Sequence, residues 1–596
     1  MPVKRTQIKN RDSANKTKKK SLDWFNLEDQ ELKTYANFKN KIKSSNYGIF
    51  KEPKGRMILI GDIHGDFEAL ESILVNQAEV LEKKIINGRS WYKWIGGDAW
   101  VICLGDLVDR CREGSIFENI KIHNYATGKD QFVPRSVGED PKSEFKVLDL
   151  LNMAMIQAEK SKGKVIKIMG NHDFESVPTG SSNFYIRYTS PYFFYHTLNY
   201  LYQKKAISLE NYKVAWEAIL YDTAKSKQIK SRLRNHYFRI DGLLNCKLRA
   251  GNAFLVVQVG NWIMAHGGVL RNMIEYYHEF YYPNSKLKIS LKDILVKDER
   301  LTKYQKSKDK RNLFDYLKKY DPAIEKFTHE LKKFENPWVT TTDGKTWIQT
   351  LNEIFYKYVH GLMSSSEISK LQTYMWGSYS GAQSLIYDRS LGDHAQKTQE
   401  ELNRYHADLY QKITKLQLFH FKKLKEVKIA IAHCPQLNDY GTISKSYLPN
   451  NVSGTTHRTI MKDWTETIIN NNFSPEKMYY SGISGDLPDY QGIPKLWRLD
   501  VAYSRAFDLQ SLQDLIQEIE AGQTELLPTV IRMIKARAPQ CLEIRPGLEP
   551  RVLMAYPLGL ERVWMKSYPT ALKMIEKKIN LIQMYPEDPP HLIKLH

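Results

Sequence analysis

Met57-Ile58-Leu59-Ile60 runs into Gly61-Asp62-Ile63-His64-Gly65-Asp66, an apolar strand-like stretch that ends in a turn full of ligand side chains. The design recurs. Trp100-Val101-Ile102-Cys103-Leu104 leads into Gly105-Asp106-Leu107-Val108-Asp109-Arg110, and Val165-Ile166-Lys167-Ile168-Met169 leads into Gly170-Asn171-His172-Asp173. Ala265-His266-Gly267-Gly268 and Ala432-His433-Cys434-Pro435 follow much later. Short β-branched runs bounded by glycine read as buried strands. A strand that ends in Gly-Asp or Gly-Asn delivers its polar side chain to the crevice beyond the sheet's carboxyl edge, where open α/β sheets bind ligands.

Spacing suggests what these groups do together. Asp62 and His64 are two apart, so in extended chain they share a face and can grip one metal ion. Asp106 has two carboxylate oxygens and can bridge two ions. Asn171, His266 and His433 complete the second position. Oxygen plus imidazole suits Mn, Fe or Zn, without thiolate. Such a paired centre clamps the attacking and leaving oxygens of an in-line displacement and makes a bridging hydroxide available near neutral pH. His172 follows a ligand directly and reads as unligated, facing the leaving group as general acid, with Asp109 orienting it. Arg110 would fork onto phosphoryl oxygens.

Taken singly, each element has an ordinary explanation. A Gly-Asp after a strand is usually a turn, and a histidine after an apolar run is usually packed core. The ordered set of six ligands, with Asp109, Arg110 and His172 beside them, is what points to a site. His360, His394, His406, His420 and His457 lack that framing and read as surface or packing residues.

The motifs resemble those of the PPP-type, calcineurin-like metallophosphoesterases: GDIHGD at 61–66, GDLVDR at 105–110, GNHD at 170–173 and HGG at 266–268. They look closest to the Shewanella-like, bacterial-type phosphatase branch. Trp94-Ile95-Gly96-Gly97 before the second motif carries that likeness, with AHCPQ at 432–436 resembling a GHTPQ motif and the stretch from Leu496 to Ser504 resembling a closing strand. The long Lys/Asn/Tyr-rich chain is also similar to calcineurin-like phosphoesterases of giant DNA viruses. The resemblance implies a four-layer α/β/β/α sandwich of α/β (α+β) class with large helical insertions. It carries over the roles above, with Asn171 and Arg110 also contacting substrate and a further phosphate-binding arginine at Arg389 in SLIYDRSLGD. Cys111, Asp173, Ala432 and Cys434 depart from the family pattern without removing a ligand. The absence of a His-X-His pair near the C-terminus tilts against nuclease-type relatives.

The ligands run from Asp62 to His433, so one catalytic domain, at 46–505, must span most of the 596 residues. Insertions are expected at 174–250 and 270–425, with helical stretches around 208–235, and each follows a ligand turn, so both are expected over the active-site face. A C-terminal extension is expected at 506–596, with a helix near 509–521. Lys and Arg number 88 against 67 acids, a net charge of +21. Residues 1–20 carry eight cations and one acid, so +7 lies in a basic tail (1–45) that reads as disordered. That tail offers a surface to nucleic acid or an acidic partner; it is equally well read as solubilising. No stretch approaches the roughly 20 apolar residues of a membrane span, and no signal peptide is evident. Five cysteines, an odd number with no metal spacing, suit the cytoplasm or another reducing compartment (host cytoplasm or virion for a viral chain) rather than secretion.

Three functions are consistent with these residues. The first is a metal-dependent phosphatase of phosphorylated protein or a small phosphomonoester, phosphoserine or phosphothreonine foremost. The second is a nucleotide, dinucleoside-polyphosphate or RNA-end pyrophosphohydrolase. The third is a non-catalytic structural protein on the same scaffold, which would have no need of six ligands on strand ends.

Overall fold

The computed structural model describes residues 48–111, 117–136, 142–176, 185–221, 225–239, 242–267, 347–365, 368, 427–433, 484–488, 494–500, 510–527, 530–531, 539–554 and 567–584. Its strands are β1 (Ile49–Phe50), β2 (Met57–Ile60), β3 (Leu81–Ile86), β4 (Arg89–Trp94), β5 (Trp100–Cys103), β6 (Phe117–Asn124), β7 (Lys129–Ser136), β8 (Lys164–Ile168), β9 (Ala253–Phe254), β10 (Val256–Val259), β11 (Trp262–Ala265), β12 (Lys428–Ile431), β13 (Ser484–Pro488), β14 (Pro494–Arg498), β15 (Gln540–Ile544) and β16 (Arg551–Met554). Two six-stranded sheets form, ordered β1-β10-β11-β12-β14-β13 and β16-β15-β2-β5-β8-β9. The pairs β3–β4 and β6–β7 are separate hairpins. With helices between and around the strands, this is the mixed α/β architecture expected from the sequence.

The three apolar runs read from the sequence are adjacent parallel strands. Ile60 lies opposite Cys103 on β2–β5, and Cys103 opposite Lys167 on β5–β8. β2 and β5 are buried at every residue, as parallel strands covered on both faces must be. Helix Ser143–Lys160 covers β8; its buried Val147, Leu148, Leu151, Ala154, Met155 and Ala158 recur at three- and four-residue spacing, one stripe of an amphipathic helix. In the other sheet β11, β12 and β14 are parallel neighbours (Met264↔Ala430↔Trp497). Their carboxyl ends therefore open on the same side as one another, with His266, His433 and Asp500 just beyond.

The helical expectations for 208–235 and 509–521 correspond to helices Leu209–Leu220, Ser226–Phe238 and Gln510–Glu520. Part of the segment 506–596, expected as a C-terminal extension, joins the sheet. β15 pairs antiparallel with β2, Leu542 opposite Leu59, and β16 pairs outside it. Cys541 and Leu542 have no exposed surface. An uncovered β2 edge would leave a row of backbone donors and acceptors unpaired, and the late segment supplies them. The basic tail, nearly all of the 270–425 insertion and Arg389 lie outside the described residues.

Lys167 is a polar intruder in this core. Its amine donates to Asn152 Oδ1 (2.7 Å) and to the Lys247 carbonyl (2.8 Å). Burial pushes its pKa down from 10.5 to about 7. The burial penalty is therefore full below about pH 7 and gone above the unfolded value. Between these limits the unfolded chain binds the extra proton, so stability rises with pH, by up to about 1.4 kcal/mol per unit. Melting curves of Lys167→Met should lack that rise between neutral and mildly alkaline pH. A parallel rise in both proteins would refute the assignment.

Candidate metal centre

Each ligand-bearing turn sits at a strand's carboxyl end and is tied to its neighbours through backbone. Ile63 N and His64 N both donate to the Asp106 carbonyl (3.0 and 2.7 Å), and Gly65 N donates to Leu107 O (2.9 Å). Across the sheets, Ala432 N donates to His266 O and Leu499 N to Ile431 O, each at 2.8 Å. The turns pack too closely for side chains at the glycines. Gly105 has φ +110°, and a Cβ there would lie 2.6 Å from Gly170 N. One on Gly170 would collide with the Asp106 carboxylate. Asp173 clamps two turns at once: Oδ1 accepts from Leu107 N (2.9 Å) and Oδ2 from Gly170 N (3.0 Å). This gives the departure from the family's glutamate a concrete task.

His64, Asp106, Asp109 and His433 all have positive φ (46°, 47°, 70° and 65°). Non-glycine residues rarely adopt that conformation, and strain of this kind collects where the surrounding structure fixes a functional geometry.

The structure brings the predicted residues together. Asp62, His64, Asp106, Asp109, Arg110, Asn171, His172, His266 and His433 are all buried. Asp106 is the hub. Its Oδ2 lies 3.7 Å from His64 Nε2 and 3.9 Å from His172 Nε2, and its Oδ1 lies 3.3 Å from His266 Nε2. His172 N also donates to Oδ1 (2.9 Å). Asp62 stands 3.8 Å from His64 Nε2 and 3.6 Å from His266 Nδ1. Asn171 Oδ1 is 3.0 Å from His266 Nε2.

Could metal ions fit? His64, Asp106 and His172 bring one ligand atom each within 4.8 Å of one another, and Asp106, His266 and His433 do the same. Asp106 belongs to both groups, as a bridging carboxylate would. His266 Nδ1 is fixed by Leu104 O (2.8 Å) and His64 Nδ1 lies 3.2 Å from Val108 O, so each ring turns Nε2 inward. Ligating histidines are typically oriented in this way by a partner on the other nitrogen. The charge pattern agrees. Burial and the neighbouring Asp500 and Asp106 push Asp62 well above the usual carboxylate range. Burial would raise Asp106 too, but His266, His172 and His64 hold it well below. Clustered buried carboxylates among imidazoles fit bound cations.

The two residues expected to form an acid pair are in contact: His172 Nδ1 lies 2.8 Å from Asp109 Oδ2. The Tyr188 ring packs edge-on against His172, centroids 4.9 Å apart. Arg110 differs from expectation. It is 1% exposed, and Nη1 donates to Gly65 O (3.0 Å) and lies 3.5 Å from Asp66 Oδ1. The fork expected to face phosphate has a nitrogen turned toward the buried Asp66.

Sequence reasoning missed three neighbours. Asp500 faces Asp62 and follows a strand as the other ligand turns do, a signal that was there to be read. Glu144 Oε1 accepts from Asp109 N (3.0 Å). Arg234, from helix Ser226–Phe238, reaches Asp109; nothing in SKQIKSRLRNHYF sets it apart from Arg232.

Residues 55–329 match the family model described as calcineurin-like phosphoesterase. A Shewanella-like protein phosphatase 1 of Plasmodium berghei is 30% identical over 170 residues, 28% of this chain and 35% of that protein. An uncharacterized protein of Schizosaccharomyces pombe is 27% identical over 144 residues, 24% and 31% of the two chains. The chain thus spans about a third of the length of these curated relatives. A solved cold-active protein-tyrosine phosphatase of a psychrophilic Shewanella species is similar at 13% identity, with a TM-score of 0.24 over 66% of this chain and 69% of that one. A point mutant of a cold-active protein tyrosine phosphatase gives 12% identity and a TM-score of 0.30 over 86% and 84%. Over residues 55–329, then, the chain is similar to the calcineurin-like phosphoesterases.

Proposed function

We propose that this protein hydrolyses phosphomonoesters, with phosphoserine or phosphothreonine in proteins as the substrate class. The observation that carries this reading is the convergence of Asp62, His64, Asp106, Asn171, His266 and His433 on one buried crevice beside the His172–Asp109 pair. The Shewanella-like protein phosphatase 1 relative supports the phosphoprotein class.

In this reading Asp62, His64, Asp106, Asn171, His266 and His433 hold two ions of the Mn, Fe or Zn type. Bound there, they would supply a water-derived nucleophile at neutral pH and neutralise phosphoryl charge. The chain's own residues do the rest. His172 gives a proton from Nε2 to the departing oxygen, so the product leaves as an alcohol rather than an alkoxide. Asp109 holds the His172 ring through Nδ1. Arg110 grips a phosphoryl oxygen in place of its 3.5 Å contact with Asp66. Asn171 adds an amide contact to the phosphoryl group.

The test is a substrate panel on metal-loaded protein: phosphopeptides, an aryl phosphate, dinucleoside polyphosphates and capped RNA. Turnover of the first two and not of the anhydrides is expected. The reverse pattern would reassign the site to anhydride hydrolysis, and no turnover in a protein without bound metal would favour a structural role.

A further inference from the structure

We infer that Arg234 is a positioning residue for the His172–Asp109 acid pair, contributed by the insertion between the third ligand turn and His266. The inference rests on the phosphatase reading above.

Arg234 is 1% exposed and Asp109 fully buried. The two oxygens of Asp109 are divided between two partners. Oδ2 meets His172 Nδ1 at 2.8 Å, and Oδ1 meets Arg234 Nη1 at 2.8 Å. The carboxylate cannot rotate away from His172 without also breaking its ion pair with a buried guanidinium, which would be costly to strand without a partner.

The guanidinium reaches the other half of the pair as well. Nη2 donates to Ser176 Oγ (2.5 Å), and that hydroxyl donates to the His172 carbonyl (2.6 Å). Nη1 also donates to Thr189 Oγ1. The Phe238 ring lies under the guanidinium carbon, 4.3 Å from centroid to carbon, and fixes its plane. One planar fork thus ties the Asp109 side chain, the helix Asn171–Ser176 that carries His172, and Thr189 at the end of the Tyr185–Tyr188 turn. Lysine, a point charge on a flexible stem, could meet Asp109 but not all three. Helix Ser226–Phe238 is thereby joined to the chemistry: its Leu233, Arg234, Tyr237 and Phe238 form the buried face, and the one charged member of that face is the one that reaches Asp109.

A residue that positions a general acid has a signature that a merely structural residue lacks. Its loss matters most where the leaving group most needs a proton. The experiment compares wild type, Arg234→Met and Arg234→Lys on dinitrophenyl, nitrophenyl and phenyl phosphate, with metal content and melting temperature measured alongside. For Arg234→Met, kcat on phenyl phosphate should fall about 10- to 100-fold and on dinitrophenyl phosphate less than about threefold, a fraction of what a general acid supplies. KM and bound metal should stay near wild type. Arg234→Lys should recover part of the phenyl phosphate loss.

An equal fall on all three substrates, or no fall, overturns the inference. Should Arg234→Met fail to fold, Arg234→Lys carries the test alone: a smaller loss graded by leaving group supports positioning, and an ungraded one overturns it. If wild type hydrolyses no aryl phosphate, the phosphatase reading falls and takes this inference with it. If wild type is active and the Arg234 variants show no grading, only the inference falls.

Discussion

Asp106→Asn should lose metal and activity together while keeping its fold. The substitution changes one oxygen to an amide nitrogen and removes one negative charge. The backbone tolerates it: Asp106 sits at φ +47°, a region asparagine enters readily, and its carbonyl would still accept from Ile63 and His64. What disappears is the charge around which three imidazoles gather, His64 at 3.7 Å, His172 at 3.9 Å and His266 at 3.3 Å. A carboxylate shared by two ions would supply charge to both, so its removal would weaken both positions. Loss of metal-derived charge stabilisation is worth several kcal/mol, roughly a thousandfold or more in kcat/KM. Elemental analysis and aryl phosphate hydrolysis check this. Wild-type turnover in a correctly folded, metal-loaded Asp106→Asn protein would sink the assignment.

His172→Gln should behave differently, and the contrast separates two roles. As a general acid, His172 should be dispensable for metal and indispensable for poor leaving groups. The expected fall is about 10²- to 10⁴-fold on phenyl phosphate and much smaller on dinitrophenyl phosphate. Geometry leaves a rival role open to measurement, since His172 also falls within the metal-compatible group with His64 and Asp106. If His172→Gln binds one metal ion fewer than wild type, the residue is a ligand and the acid must be sought elsewhere. The 2.8 Å contact of Nδ1 with Asp109 favours the acid, because it orients the ring.

Much of this centre could be read before any coordinate was known, for a local reason. A buried strand followed by Gly-Asp is defined within ten residues, and β2, β5 and β8 fall on the three apolar runs quoted at the outset. The orientation of Arg110 was not legible, because it depends on Asp66, which sits on the first turn rather than on Arg110's own. Nor was Arg234, whose helix resembles any basic surface helix until its contact with Asp109 is seen. Local patterns do not specify which buried charge a long side chain will find.

The sequence alone determined the types of candidate ligand, their order and their attachment to strand ends, because periodicity and turn chemistry are properties of contiguous residues. Tertiary structure decided which distant segments met: β15 on the open edge of β2, 483 positions apart at Leu542 and Leu59, and the helix Ser226–Phe238 with Asp109. Those pairings arise when a sheet edge needs backbone partners and a buried carboxylate needs a cation. Both demands are met by whatever part of the folded chain comes within reach.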